Sequence, residues 1–89
     1  GLNPSVLVAG GGGDNAVSAI GVGAVSPGDA FISLGTSGVL FVVTDRYRPA
    51  PQSAVHAFCH VLPNLWHQMS VMLSAASCLQ WFCRLTGTD

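Results

Sequence analysis

Residues 10 to 15 read Gly-Gly-Gly-Gly-Asp-Asn, and residues 33 to 38 read Ser-Leu-Gly-Thr-Ser-Gly. In each cluster the glycines remove side chains, so a ligand can come close to the backbone. A few polar groups remain to act on it: Asp14 with Asn15 in the first cluster, Thr36 with Ser37 in the second. A carboxylate beside one ligand and hydroxyls beside another are the parts of a two-substrate enzyme. The first run does not suit a phosphate, because a carboxylate at Asp14 would repel it at close range. No Gly-Lys-Ser/Thr sequence follows and the chain has no lysine, which excludes a P-loop on its own residues. These glycines are better suited to clearing space for a neutral polyol.

The elements that hold these groups follow from the flanking pattern. Ser5 to Ala9 has strand character and runs into the glycines; Asp14 then precedes a helix-compatible segment, Ala16 to Val25. Asp14 is thus also a candidate N-cap, a structural role that competes for the same oxygens. Ser26-Pro27-Gly28-Asp29 reads as a turn. Ala30 to Leu34 and Val39 to Thr44 read as two strands, with Gly35 to Gly38 as the turn of their hairpin. Glycines in a hairpin turn need no ligand, but exposed backbone N–H groups with the Thr36 hydroxyl can also make an anion-binding nest.

A Pro-rich loop, Tyr47 to Pro51, leads to two further strands, Val55 to Val61 and Leu65 to Ser70, around a turn at Leu62 to Asn64. His56, Cys59, His60 and His67 could be drawn there as a zinc site. On a strand, however, His56 and His60 share a face and Cys59 points away, so a compact four-ligand shell is hard to assemble. Hydrogen-bonded core or interface histidines are expected instead, and no metal site. The last element is predicted as a helix from Leu73 to Leu85. Its apolar stripe runs through Met72, Ala75, Ala76, Leu79, Phe82 and Cys83, widened by Cys78, Trp81 and Leu85. A helix apolar on most sides belongs between the layers of a larger protein.

Composition agrees. Charged residues make up 8% and hydrophobic residues 49%, against about 25% charged in a typical domain. So little charge cannot cover an independent surface, and the chain reads as an interior piece whose surface is covered by other segments. The stretch from Val6 to Val43 is explained as two buried strands and a buried helix. A net charge of −1 with three basic residues, Arg46, Arg48 and Arg84, offers no stripe for nucleic acid and no polybasic patch for a membrane. Residues Gly1 to Gly13 lack the basic start and cleavage pattern expected of a signal peptide, which a fragment could have lost, and no apolar run reaches the roughly 18 residues needed to span a bilayer. Three cysteines, Cys59, Cys78 and Cys83, are an odd number in apolar surroundings, which suits a reducing, cytoplasmic setting.

In order, the motifs are Gly-Gly-Gly-Asp-Asn-Ala, Ser-Leu-Gly-Thr-Ser-Gly, Ser-Ala-Val-His-Ala-Phe-Cys-His, Trp-His-Gln-Met and Ser-Val-Met-Leu-Ser-Ala-Ala-Ser-Cys-Leu. This series resembles the FGGY carbohydrate kinases of the hexokinase/actin superfamily, and among them the xylulokinases. The resemblance runs from about Val8 to Gly87 yet corresponds to less than a fifth of such an enzyme. It implies an α/β piece of a two-domain, ribonuclease H-like sugar kinase. Residues 1–27 would end the N-terminal sugar-binding domain and residues 28–89 would open the C-terminal nucleotide domain.

By the same resemblance, Asp14 matches the catalytic base that accepts the proton of the attacking sugar hydroxyl, and Asn15 falls where a sugar-contacting amide occurs. Gly35, Thr36 and Ser37 match a phosphate-binding hairpin. ATP and Mg²⁺ are the implied cofactors, with the Mg²⁺ ligands, adenosine pocket and most sugar contacts outside these residues. The implied partners are a small-molecule sugar, D-xylulose first, and ATP; a homodimer of the longer protein is left open. Sister kinases acting on ribulose, gluconate, rhamnulose or glycerol, and a non-catalytic sugar- or nucleotide-sensing relative, are the alternatives.

Overall fold

A computed structural model describes residues 1–88 of the chain. In chain order its elements are helix α1 (Asp14–Val22), strands β1 (Ala30–Leu34) and β2 (Gly38–Thr44), a 3₁₀ turn (Pro51–Ser53), strands β3 (His56–Cys59) and β4 (Trp66–Met72), and helix α2 (Ala76–Thr86). The strands form one sheet in the order β1-β2-β4-β3, every neighbouring pair antiparallel. The expected α/β class holds. No helix among the described residues is long and apolar enough to cross a membrane.

Register decides what the site can use. Val43 pairs with His67 and Phe41 with Met69 across β2 and β4, while Phe58 pairs with His67 and His56 with Met69 across β3 and β4. Alternation along each strand therefore brings Phe41, Val43, His56, Phe58, His67 and Met69 to one face. The buried core on that face is small: Phe41 and Val43 from the sheet meet Ala19 and Ala24, with Phe31 and Leu65 packed at its border. Ala16 and Ala19 are the buried residues of α1, and their single methyls let the helix axis come close to the aromatic face.

Local chemistry ends α1 where it does. Gly23 is left-handed at φ 79°, its N–H donates to the Ile20 carbonyl at 3.1 Å, and the Ala24 N–H donates to the Ala19 carbonyl at 2.8 Å. That is a Schellman cap, which only a residue free of the Cβ penalty enters cheaply; it stops the helix at Val22, short of the expected Val25. Ser26 to Asp29 then form the expected turn. The Asp29 carboxylate accepts the Val25 and Ser26 N–H groups at 3.1 and 2.8 Å, and Gly28 supplies φ 95° after Pro27, as a type II turn demands.

Three expectations do not hold. Residues Ser5 to Ala9 form no strand, and Leu7 and Val8 are 95% and 94% exposed. A strand exists through a neighbour that pairs its N–H and C=O groups, and no described segment pairs with this one. Nor is β1 buried as expected: Ile32 and Leu34 are exposed, because they alternate with Phe31 and stand on the sheet face opposite the core residues Phe41 and Val43. Finally, Met72 does not belong to the closing helix, since it pairs with Gly38 as the last residue of β4. The ladder there overrides helical periodicity and delays α2 to Ala76. On α2, Leu79, Trp81, Phe82 and Leu85 are all more than half exposed.

Candidate active site

Asp14 opens α1 but does not cap it. The N-cap is Gly13, at φ −60° and ψ 145°, so the cap expected of Asp14 falls one residue earlier. An extended residue at the cap leaves Asp14 as the first helical residue, with its carboxylate outside the helix. There Oδ1 accepts the Asn15 backbone N–H at 2.8 Å, and the Asn15 side-chain amide lies 3.5 Å from the same oxygen. One carboxylate oxygen is thus tethered and the other is left to a ligand. The glycine run divides into two roles. A Cβ on Gly12 would overlap Cγ1 of Val61, whereas Gly10, Gly11 and Gly13 have open space where a side chain would stand. Gly12 seats the run against the β3–β4 connection, and its neighbours keep the approach to Asp14 clear.

Facing Asp14 is a cavity of about 370 Å³, lined by Gly13, Asp14 and Asn15 on one side and by Phe58, His67 and Met69 on the other. The sheet supplies its apolar floor and the helix head its polar rim. That division suits a sugar, whose C–H face needs apolar contact while its hydroxyls need acceptors. Neither Gly35, Thr36 nor Ser37 lines this cavity.

The histidines sit behind this site as one aromatic group. His60 is buried and satisfied: its Nδ1 accepts the Leu62 N–H at 3.0 Å, and its Nε2 is 3.2 Å from the Ala24 carbonyl. With Nδ1 as acceptor, the proton lies on Nε2, which donates to Ala24. His67, 4% exposed, stacks on Phe41 with ring centroids 4.1 Å apart and stands edge-on to His60 at 6.4 Å. Burial pushes the His67 imidazole below its ordinary value, and the neighbouring His60 adds to the shift. His56 stacks beside Phe58 at 5.9 Å. Among the described residues no group of three or more His, Cys, Asp or Glu is arranged to hold a metal ion. Sequence reasoning put His67 on the returning strand and gave it no place beside Asp14. The signal was there in the alternation of His56, Phe58 and His60, matched by His67 and Met69.

The hairpin turn meets the rest of the chain through its carbonyls. Gly35 and Thr36 accept the N–H groups of Ala76 and Ala75 at 3.1 and 2.8 Å, Thr36 also accepts the Ser77 hydroxyl at 3.1 Å, and the Ser37 hydroxyl donates to the Leu73 carbonyl at 3.2 Å. Helix α2 has no side-chain cap, so the turn satisfies N–H groups that a helix start leaves orphaned. Gly38 allows this docking, because a Cβ there would stand 2.8 Å from the Ala75 Cβ. The Gly35 N–H is itself taken, donating to the Ser37 carbonyl at 2.8 Å. What the turn offers outward is a smooth backbone at Gly35 and the exposed Thr36. From Met69, at the cavity, to Met72, beside the turn, is three residues of β4, about 10 Å at strand spacing.

The similarity of this chain to known proteins is extensive but covers a small part of them. It is 58% identical over 84 residues to the xylulose kinase of Klebsiella pneumoniae and 60% identical over 83 residues to that of Escherichia coli (strain K12). These alignments take in 94% and 93% of the chain and 17% of each relative. The crystal structure of a "xyloylose kinase" from Brucella ovis superposes with a TM-score of 0.85 at 63% identity, over 91% of this chain and 17% of that one. The chain therefore spans about 17% of the length of the curated relatives it matches. No family model matches it.

Proposed function

We propose, from the premise that this chain corresponds to one segment of the xylulose kinases, that it carries the acceptor-side base and a phosphate-facing turn of an ATP-dependent sugar kinase. The acceptor would be D-xylulose, phosphorylated at its terminal hydroxyl to D-xylulose 5-phosphate. The observation that carries this reading is the setting of Asp14: an exposed carboxylate at a helix start, one oxygen tethered, beside a glycine-cleared cavity with an apolar floor.

Phosphoryl transfer asks the protein mainly for positioning and charge stabilisation. With Oδ1 held on the Asn15 N–H, Oδ2 of Asp14 would accept a hydrogen bond from the attacking hydroxyl and take its proton late, once bond formation has made that proton acidic. The Asn15 amide would reach the neighbouring hydroxyl. Bound ATP supplies the transferable phosphoryl group, with Mg²⁺ offsetting its charge. The turn fits a phosphate neighbour on two counts: a Cβ on Gly35 would meet nothing closer than 3.7 Å, and the carbonyls that would repel an anion are directed to α2. Thr36 would donate its hydroxyl there, and Gly35 would contribute by having no side chain. The residues that hold Mg²⁺ are assigned outside this chain.

On this reading the two-domain boundary falls at the Ser26–Asp29 turn, with residues 1–27 on the sugar side and 28–89 on the nucleotide side. The core of Ala19, Ala24, Phe41 and Val43 would then be a contact across the domain boundary. Use of ATP and the free cysteines suit a cytoplasmic location. The test is to express the longer protein and follow ATP consumption across D-xylulose, D-ribulose, L-rhamnulose, gluconate and glycerol. Turnover dominated by D-xylulose is the expected result. A different preferred acceptor would move the protein to a sister kinase, and no turnover on any would leave a sensor.

A further inference from the structure

We infer that His60 is a positioning residue for Asp14 that acts through helix α1: together with Val61 it grips the chain on both sides of that helix and so fixes the carboxylate at the acceptor cavity. This rests on the sugar-kinase reading above. Asp14 cannot fix itself. Among the described residues its carboxylate bonds only to Asn15, its neighbour in the same helix. The helix in turn buries little, since Ala16 and Ala19 are its buried residues, while Val17 and Val22 are 51% and 65% exposed. Two methyls set how close α1 lies to the sheet but not how it is turned, so its direction has to come from contacts outside the helix.

Those contacts come from the connection between β3 and β4. The His60 N–H donates to the Leu65 carbonyl at 3.0 Å and closes the connection into a loop. The Leu62 N–H donates to His60 Nδ1 at 3.0 Å. With Nδ1 taken as an acceptor, Nε2 carries the proton and donates to the Ala24 carbonyl at 3.2 Å, just past the end of α1. The ring is buried and stands edge-on to Phe41 and His67. The next residue, Val61, packs against Gly12, just ahead of Asp14, where a Cβ would overlap its Cγ1. Adjacent residues thus hold the chain before α1 starts and after it ends. The strands they join carry Phe58, Cys59, His67 and Met69 on one wall of the cavity, and α1 carries Asp14 on the other, so this clasp sets one wall against the other. Without the Nε2 bond the carbonyl of buried Ala24 loses its partner, and α1 can swing about the Gly12 contact and re-aim Asp14. A displacement of about 1 Å between reacting groups costs up to about 10²-fold in rate.

The test is a double-mutant cycle in the longer protein. Kinetics on D-xylulose are measured for the wild type, His60→Gln and His60→Asn, each alone and combined with Asp14→Asn, and thermal melting reports on folding. Gln brings its amide nitrogen to where Nε2 stands and keeps the donor to Ala24; Asn brings its oxygen to where Nδ1 stands, keeps the bond from Leu62 and falls short of Ala24. His60→Asn should lose at least about tenfold in kcat with the KM for ATP unchanged, and His60→Gln should recover most of that loss. Because the loss runs through Asp14, His60→Asn should cost less than about twofold in the Asp14→Asn background. An equal loss in both backgrounds, which a merely loosened fold would give, overturns the inference; so does an equal kcat in His60→Asn and His60→Gln. Should His60→Asn not fold, Val61→Ala, which loosens the other end of the clasp at a side chain 38% exposed, goes through the same cycle, and no loss, or an equal loss in both backgrounds, overturns the inference there. A wild type that phosphorylates no sugar fails the sugar-kinase reading, and this one with it.

Discussion

Single atoms decide how the site can work. Because Asp14 is held through Oδ1 by the Asn15 N–H, Asp14→Asn keeps an oxygen for that bond while losing the base. In the longer protein kcat should fall by at least about 10²-fold with the dissociation constant for the sugar little changed, measured by steady-state kinetics beside calorimetric titration; near wild-type turnover would remove Asp14 from the mechanism. At the turn, a methyl on Gly35 would lie no nearer than 3.7 Å to any described atom outside its immediate neighbours, so Gly35→Ala should melt like the wild type. If phosphate oxygens approach there, the same variant should weaken ATP binding and spare sugar binding. Thr36→Ala should act likewise but more mildly, through one hydrogen bond worth about 0.5–1.5 kcal/mol. Equal ATP affinity in both variants would leave the turn a structural one. For His67 the direction is set by burial. Its folded-state value lies below the ordinary 6.5, so as pH falls through 6.5 the unfolded chain takes up a proton that the folded chain resists, and stability drops. Melting of the longer protein between pH 7.5 and 5 should therefore fall more steeply for the wild type than for His67→Gln, and parallel curves would argue against it.

At the scale of elements, the junction between the β1–β2 turn and α2 is a tight fit of the Gly38 backbone against the Ala75 methyl. The turn carbonyls take up the first N–H groups of α2, which requires the backbone at Gly38 to come up against Ala75. A methyl at Gly38 would be 2.8 Å from the Ala75 Cβ, and neither atom can rotate away. Gly38→Ala should cost about 1–3 kcal/mol, read from denaturant unfolding of the longer protein. Gly38→Ala combined with Ala75→Gly should recover much of that loss, since it removes the second of the two colliding methyls. The hairpin itself was legible, because paired β-branched and aromatic runs around Gly-x-x-Gly have few other solutions. Its docking was not, since nothing local to residues 35 to 38 announces a helix start some forty residues on.

The whole chain is open where a self-contained domain would be closed. Its radius of gyration is 17.2 Å, against about 12 Å for a compact domain of this length, and among the described residues the largest fully buried side chains are Phe41 and Val43. Trp81, Phe82, Leu79 and Leu85 on α2, with Ile32 and Leu34 on β1, are exposed. Only 8% of its residues are charged to keep such a surface in solution. The 89 residues on their own should bind a dye such as ANS and melt without a sharp transition. A monomer with a cooperative melt and no dye binding would show that these faces need no partner.

What the sequence determined by itself is whatever depends on a few adjacent residues. The Ser26–Asp29 turn, the hairpin and the pairing of Asp14 with a glycine run belong here, because turn geometry and steric clearance are settled within about four positions. Tertiary structure decided what depends on a distant partner. Ser5 to Ala9 had the composition of a strand but no ladder to join; Met72 had the spacing of a helix but was held by Gly38 in β4. His67 became part of the wall facing Asp14 through the register of β4 against β2 and β3. A hydrogen-bond ladder or a buried imidazole gains its energy from groups far along the chain, and no local pattern carries that information.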